Sequence, residues 1–244
     1  VRVEALIRSG LRHVLDFALP ARCAGCGEIV AEVHSFCPDC WTKVEFLGES
    51  GCTTCGMPLE ATEADECGAC LAVPPRIQRT RSAVAYDELP RSIALRLKYG
   101  RKVALARTMA RYMRPFVADK QDAILVPVPL HRGRLWQRGF NQSALVASEL
   151  ARQTGLRSEP RLLRRTRHTP PLKGMSLRQR RKTVAGTFSV DASADLHGRT
   201  VVLVDDVLTT GSTANACARV LKKAGAERVE LVSWARVIKP AQMI

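Results

Sequence analysis

Val201-Val202-Leu203-Val204 is an unbroken apolar run, β-branched at every position but one. That pattern suits a central parallel strand covered on both faces. Beyond it the period changes. Ala214, Cys217, Ala218 and Leu221 recur at helical spacing, and the pattern stops at Gly225 behind Lys222 and Lys223. "RVELVSWARV" at 228–237 then reads as the next strand. An upstream stretch follows the same plan: the apolar strand "AILVPVP", a cationic loop, and the helical "SALVASELA". Residues 89–116 predict one or two amphipathic helices broken at Gly100, with Ile93, Leu95 and Leu97 facing Leu105, Met109 and Met113 in the core. Residues 1–20 predict an amphipathic helix ended by Pro20. Alternating strand and helix patterns of this kind predict an α/β protein.

In the segment 1–20, Glu4, Arg8, Arg12 and Asp16 interrupt the apolar positions, so the continuous core of a secretory signal is missing. No apolar run approaches the ~18 residues of a membrane span. A cytoplasmic, reducing compartment is the expectation. Charge divides the chain: residues 1–75 carry 5 basic and 11 acidic side chains, residues 76–244 carry 33 and 12, for a net +15. The basic part calls for anionic company, phosphates or nucleic acid. The change of sign near Pro74-Pro75 marks a boundary, giving a terminal helix (1–20), a small module (21–75) and a larger domain (76–244).

Eight of the nine cysteines form four CxxC pairs: Cys23/Cys26, Cys37/Cys40, Cys52/Cys55 and Cys67/Cys70. Two such knuckles complete a tetrahedral site for zinc with four sulfur ligands. The pairs also repeat, "CAGCGE" resembling "CTTCGMP" and "CPDCW" resembling "CGACL". The repeat predicts two tandem ribbons, Cys23, Cys26, Cys37 and Cys40 on one zinc and Cys52, Cys55, Cys67 and Cys70 on the other; an interleaved pairing is the alternative. Four thiolates leave no position for substrate, so these metals fold the module rather than catalyse. The acidic module is expected to meet a protein partner. Cys217, alone on a helix, reads as a buried small hydrophobe.

Asp205 and Asp206 follow the apolar run, and Thr209-Thr210-Gly211-Ser212-Thr213 follows them. Small residues between a strand end and a helix start offer backbone N–H groups and hydroxyls to a phosphate. Two acids before an anion loop make sense if they face a neutral, hydroxyl-rich neighbour. A ribose diol beside its 5′-phosphate is such a neighbour, and carboxylates accept its hydrogen bonds and help to hold Mg²⁺.

The run "VVLVDDVLTTGST" resembles the phosphoribosyl pyrophosphate (PRPP) loop of type I phosphoribosyltransferases. "VPVPLHRGRLWQRGFNQ", "LRLKYG", the four knuckles and the basic "LLRRTRHTPPLKGMSLRQRRKTVAGTF" are similar to the ComF family of phosphoribosyltransferase-like proteins, associated with DNA uptake in competent bacteria. The resemblance spans roughly residues 20–236. It implies a Rossmann-like type I phosphoribosyltransferase domain with a parallel sheet, behind a zinc-ribbon module. It implies PRPP with Mg²⁺ as ligand, held by Val207, Leu208, Thr209, Thr210, Gly211, Ser212, Thr213, His131, Arg132 and Arg138, with Asp205 and Asp206 as the catalytic acids. It also implies competence-machinery proteins as partners. The sequence departs from the family at Leu172, where glutamine is expected, and at Thr183, where asparagine is expected.

Residues 152–182 hold eleven Lys/Arg against Glu159 alone, broken by Pro160, Pro170, Pro171 and Gly174 into loop-like pieces. They read as a solvated surface, as a hood over pyrophosphate, or as a track for single-stranded DNA. Trp136, beside Arg134 and Arg138, reads as a core residue, with base stacking as the alternative. Lys98 in "LKYG" is the cation to watch. Two functions fit: transfer of phosphoribosyl to an acceptor, or binding of PRPP or a nucleotide without turnover by a protein that holds single-stranded DNA.

Overall fold

The computed structural model describes residues 20–59, 65–170 and 174–238. Apart from Pro20, the terminal helix expected over 1–20 lies outside them, as does Leu172. In chain order the elements are α1 (Pro38–Trp41), α2 (Gly68–Ala72), β1 (Arg79–Ala85), α3 (Glu88–Tyr99), α4 (Leu105–Met113), β2 (Ile124–Pro127), α5 (Arg132–Arg138), α6 (Gln142–Thr154), β3 (Arg157–Ser158), β4 (Leu163–Arg165), α7 (Leu177–Val184), β5 (Phe188–Val190), β6 (Thr200–Leu208), α8 (Ser212–Lys223) and β7 (Arg228–Arg236).

Five strands form one parallel sheet in the order β1-β7-β6-β2-β3. β6 is central, between β7 and β2, and Val201 to Val204 are fully buried. Successive side chains of a strand point to opposite faces, and both faces are covered. Val202 and Val204 join a core with Leu125, Trp234, Met109 and Leu150. Val201 and Leu203 join a second core with Val126, Leu231, Cys217 and Leu221. That is why the run shows no alternation.

β6 is longer than its apolar run. It continues past both aspartates to Leu208, pairing Asp205 with Ser233 and Leu208 with Arg236. The helices around Gly100 form as the pattern predicts, but Leu95 is 37% exposed while Ile93 and Leu97 are fully buried. Leu95 lies two positions from each, about 200° around a helix, and therefore faces away. The basic segment is more regular than its prolines suggest. Part of it joins the sheet as β3, and β4 pairs antiparallel with β5. α7 opens with a capping box in which Ser176 and Gln179 exchange hydrogen bonds.

The cysteine-rich module packs onto the outer edge of the sheet. Phe46 bridges Val84 of β1 in antiparallel fashion, and Leu47 N–H donates to the Ala83 carbonyl (3.0 Å). An edge strand left bare invites pairing with other chains; here the module covers it. Tyr112 of α4 collects the aromatic contacts, with ring centroids 5.4 Å from Phe36, 5.5 Å from Phe46 and 6.3 Å from Trp234. Among the described residues no helix is long and apolar enough to cross a membrane.

Candidate functional site

The cysteines gather as the tandem repeat predicts. Cys23, Cys26, Cys37 and Cys40 form one quartet and Cys52, Cys55, Cys67 and Cys70 the other, with all sulfurs of each within 4.8 Å of one another. A zinc ion with Zn–S of ~2.3 Å sets tetrahedral sulfurs about 3.8 Å apart. Cys26 and Cys37 stand 3.7 Å apart, and so do Cys55 and Cys67. The halves match in detail. Cys37 N–H donates to Cys23 Sγ and Cys67 N–H to Cys52 Sγ, each at 3.3 Å. Burial raises the pKa of Cys23 and of Cys52, but backbone N–H donors outweigh it and bring each thiol down to about 6. Burial and neighbouring sulfurs push Cys40 up to about 12. Crowded thiols cannot all ionise without a cation, and a divalent metal resolves that conflict. Both quartets fit a structural zinc with every position filled by sulfur.

The acids and the small-residue loop occupy the carboxyl end of β6, where ligands of open α/β sheets bind. Gly211 caps α8 with φ of +69°, the left-handed region that glycine enters without strain. Thr210 Oγ1 and Ser212 Oγ are 2.9 Å apart. Asn215 Nδ2 donates to the Gly211 carbonyl (3.1 Å) and its Oδ1 accepts from Arg76 N–H (2.9 Å). Arg180, a buried residue of α7, donates to Thr209 Oγ1 (3.3 Å).

The two aspartates have different surroundings. Asp206 is 4% exposed. Its Oδ1 accepts from Gln142 Nε2 (3.3 Å), and Lys98 Nζ forms an ion pair with Oδ2. Gln142 Oε1 in turn accepts from Arg138 Nη1 (2.5 Å), whose guanidinium lies 5.2 Å from the Tyr99 ring centroid. Burial alone would lower the Lys98 pKa, but Asp206 outweighs it and holds the ammonium above its ordinary value. Asp205 is half-buried and accepts from Ser143 Oγ (3.0 Å) and from Asp206 N–H (2.9 Å). Burial, then repulsion from Asp206, pushes its carboxyl up to about 7, against the pull of Lys98.

Beside this network lies a cavity of about 490 Å³ lined by Lys98, Tyr99, Arg101, Arg134, Gln137 and Arg138. Four cations and no acid line it. Arg101 takes a left-handed backbone (φ 50°), uncommon for a residue with a Cβ.

Of the other residues singled out in the sequence, His131 caps α5, its Nδ1 accepting from Gly133 N–H (3.2 Å). Its ring meets His168 edge-on at 5.1 Å. Arg132 is exposed at the start of α5, whereas Arg138 reaches the acids through Gln142. Thr183 is half-buried, with its hydroxyl 3.7 Å from Met175 Sδ. Cys217 is fully buried, as its spacing predicts. Trp136 is not a core residue: it is 91% exposed on α5, between Arg134 and Arg138, which line the cationic cavity. Gln142, Ser143, Arg180 and Asn215 escaped the sequence reading. Each acts through a partner distant in sequence, and only the placement of Gln142 and Ser143 at the start of a helix after the cationic loop hinted at them.

Metal analysis of the purified protein is expected to give about two zinc ions per chain. Cys40→Ser should lower that to about one while the second quartet stays loaded. Zinc lost from both quartets together would mean that they do not close independently.

Residues 14–71 match the double zinc ribbon domain family, and residues 141–242 match the phosphoribosyl transferase domain family. The chain is 32% identical over 225 residues to Competence protein F of Haemophilus influenzae, covering 88% of this chain and 96% of that one. It is 29% identical over 228 residues to DNA utilization protein YhgH of Escherichia coli K12, covering 90% and 99%. Among solved structures it is similar to adenine phosphoribosyltransferase from Thermoanaerobacter pseudethanolicus, at 17% identity and a TM-score of 0.36, covering 56% of this chain and 82% of that one. A double zinc ribbon on the edge of a parallel α/β sheet, with relatedness that runs nearly end to end, places the chain in the ComF family of phosphoribosyltransferase-like proteins.

Proposed function

We propose that the protein binds PRPP at the carboxyl end of β6 and transfers its phosphoribosyl group to an acceptor, releasing pyrophosphate. One observation carries this reading. A loop of small hydroxyl residues at a helix start, a half-buried carboxylate and an acid-free cavity with four cations adjoin one strand end. PRPP presents a monophosphate, a diol and a diphosphate in a comparable order.

In this reading the backbone and hydroxyls from Val207 to Thr213 take the 5′-phosphate. Asp205 accepts from the ribose hydroxyls, and in its ionised form it favours the cation-like sugar that forms as the leaving group departs. Asp206, engaged by Lys98 and Gln142, keeps the strand end and the cations in place. Lys98, Arg101, Arg134 and Arg138, with His131 and Arg132 at the start of α5, neutralise the pyrophosphate. Mg²⁺ arrives with the substrate and offsets charge on its pyrophosphate. The hood of β4, β5 and α7 bears on the loop through Arg180 and Thr209.

The relatives' names, Competence protein F and DNA utilization protein, suggest a role in DNA uptake. Trp136 and Tyr99, exposed among arginines, favour a surface for single-stranded DNA on α5 and the end of α3. Base stacking on an aromatic ring contributes about 1–3 kcal/mol.

Replacing Asp205 with asparagine keeps size and shape and removes one charge. PRPP affinity in Mg²⁺, measured by calorimetry, is expected to fall at least about tenfold, or about 1.4 kcal/mol. Inorganic phosphate should bind as before or better. Asp206→Asn behaves differently: it strands Lys98 in a buried site and should cost about 3–5 kcal/mol of stability in urea unfolding. Unchanged PRPP affinity in a folded Asp205→Asn protein would mean that this acid does not hold the ribose.

Trp136→Ala is expected to weaken single-strand binding by about 5- to 150-fold without changing PRPP affinity. Equal oligonucleotide affinity in fluorescence titrations of variant and wild type would place the DNA surface elsewhere.

A further inference from the structure

The second ribbon and the segment that follows it touch the sheet domain at points that lead to opposite ends of one loop. The first is Arg236, which closes β7 and is 7% exposed. Its Nη1 donates to the Cys55 carbonyl (2.6 Å), and its Nη2 lies 3.8 Å from Cys55 Sγ. In the sheet register Arg236 stands opposite Leu208, and the next residue, Val237, donates its N–H to the Leu208 carbonyl (2.9 Å). Leu208 is the residue before Thr209.

The second point is Arg76, which follows Pro74-Pro75 just beyond the last knuckle. Its N–H donates to Asn215 Oδ1 (2.9 Å), and Asn215 Nδ2 donates to the Gly211 carbonyl (3.1 Å). The loop is thus tied on both sides, at Leu208 and at Gly211.

The ribbon side of these ties is itself fixed. Arg81 of β1, also 7% exposed, donates to the carbonyls of Cys52 (3.4 Å) and Thr53 (3.0 Å). Two buried guanidinium groups therefore grip the knuckle Cys52–Cys55 from adjacent strands. A buried cation needs acceptors, and the knuckle supplies carbonyls and a sulfur in a fixed arrangement. Arg236 Nε is buried without an acceptor. The site therefore tolerates one unmet donor while the other nitrogens stay on Cys55. A knuckle with no metal across its four sulfurs has little else to hold its shape, because so small a module buries too little apolar surface.

We infer that the second metal-binding ribbon positions the loop 209–211, with Arg236 and Asn215 as the positioning residues. The metal fixes the knuckle, the knuckle fixes Arg236 beside Leu208, and the chain leaving the ribbon at Arg76 holds Asn215 beside Gly211. The inference rests on the reading above only for what the loop binds. The shape of the loop is tested apart from any ligand.

Hydrogen exchange of the full-length, zinc-loaded protein, followed on the peptide spanning 206–216, provides that test. In Arg236→Met, exchange in this peptide is expected to rise about tenfold, while peptides from the first ribbon stay as in wild type. Arg236→Lys should restore part of the protection, and Asn215→Ala should raise exchange independently. Zinc capture by a chromogenic chelator should be faster from the second quartet in Arg236→Met, because Cys55 Sγ loses a donor. If Arg236→Met does not fold, Asn215→Ala and Arg236→Lys decide. Wild-type exchange in the loop of folded Arg236→Met or Asn215→Ala protein would overturn the inference. If the loop does respond but inorganic phosphate fails to protect it in wild type, the phosphate reading falls and the positioning role stands.

Discussion

A carboxylate sealed at the end of a central strand must be paired or protonated. Asp206 is paired, and the candidate site is arranged around that pairing. Lys98 comes from the end of α3, Gln142 from the start of α6, and Arg138, through Gln142, from the end of α5. One buried charge thereby ties three helices to the strand end. It also divides labour between adjacent acids. Asp206 is committed to protein partners, and Asp205 is left half-buried, with a carboxyl raised towards neutrality. Through this pairing two of the four cations of the neighbouring cavity, Lys98 directly and Arg138 by way of Gln142, are anchored to the strand end.

The zinc ribbons serve the same strand end from outside the sheet. Their sulfurs make a small, polar, acidic module fold where its apolar surface would not suffice. The module in turn closes the edge of β1 and shares a core with α4 through Phe36, Val44 and Tyr112. The two halves of the chain, opposite in charge, are one packing problem. Buried arginines of β1 and β7 enter the ribbon, and ribbon aromatics enter the core.

Much of this was legible in the sequence because it depends on local pattern. The run 201–204, the helix after Gly211 and the tandem pairing of knuckles follow from period, capping and repeat. What was not legible depends on contacts distant in the chain. β1 is not legible because Arg79, Thr80, Arg81 and Ser82 look like surface; in place, Arg81 is buried on the ribbon and Ser82 Oγ meets Ser233 Oγ at 2.7 Å. The apolar run marks β6 only as far as Val204, because aspartates are poor strand residues; pairing with β7 carries the strand on to Leu208. The core place expected for Trp136 does not exist, because α5 buries none of its residues. Lys98 stood out only through its motif; its partner came from the fold.

The central claim is that one strand end receives the monophosphate, the diol and the diphosphate of a single ligand. A crystal structure of the protein grown with PRPP and Mg²⁺ tests it most directly. The account predicts density for the 5′-phosphate against Thr209–Thr213, the ribose hydroxyls on Asp205, and the pyrophosphate among Lys98, Arg101, Arg134 and Arg138. PRPP bound elsewhere, or a loop left empty at saturating ligand, would contradict it.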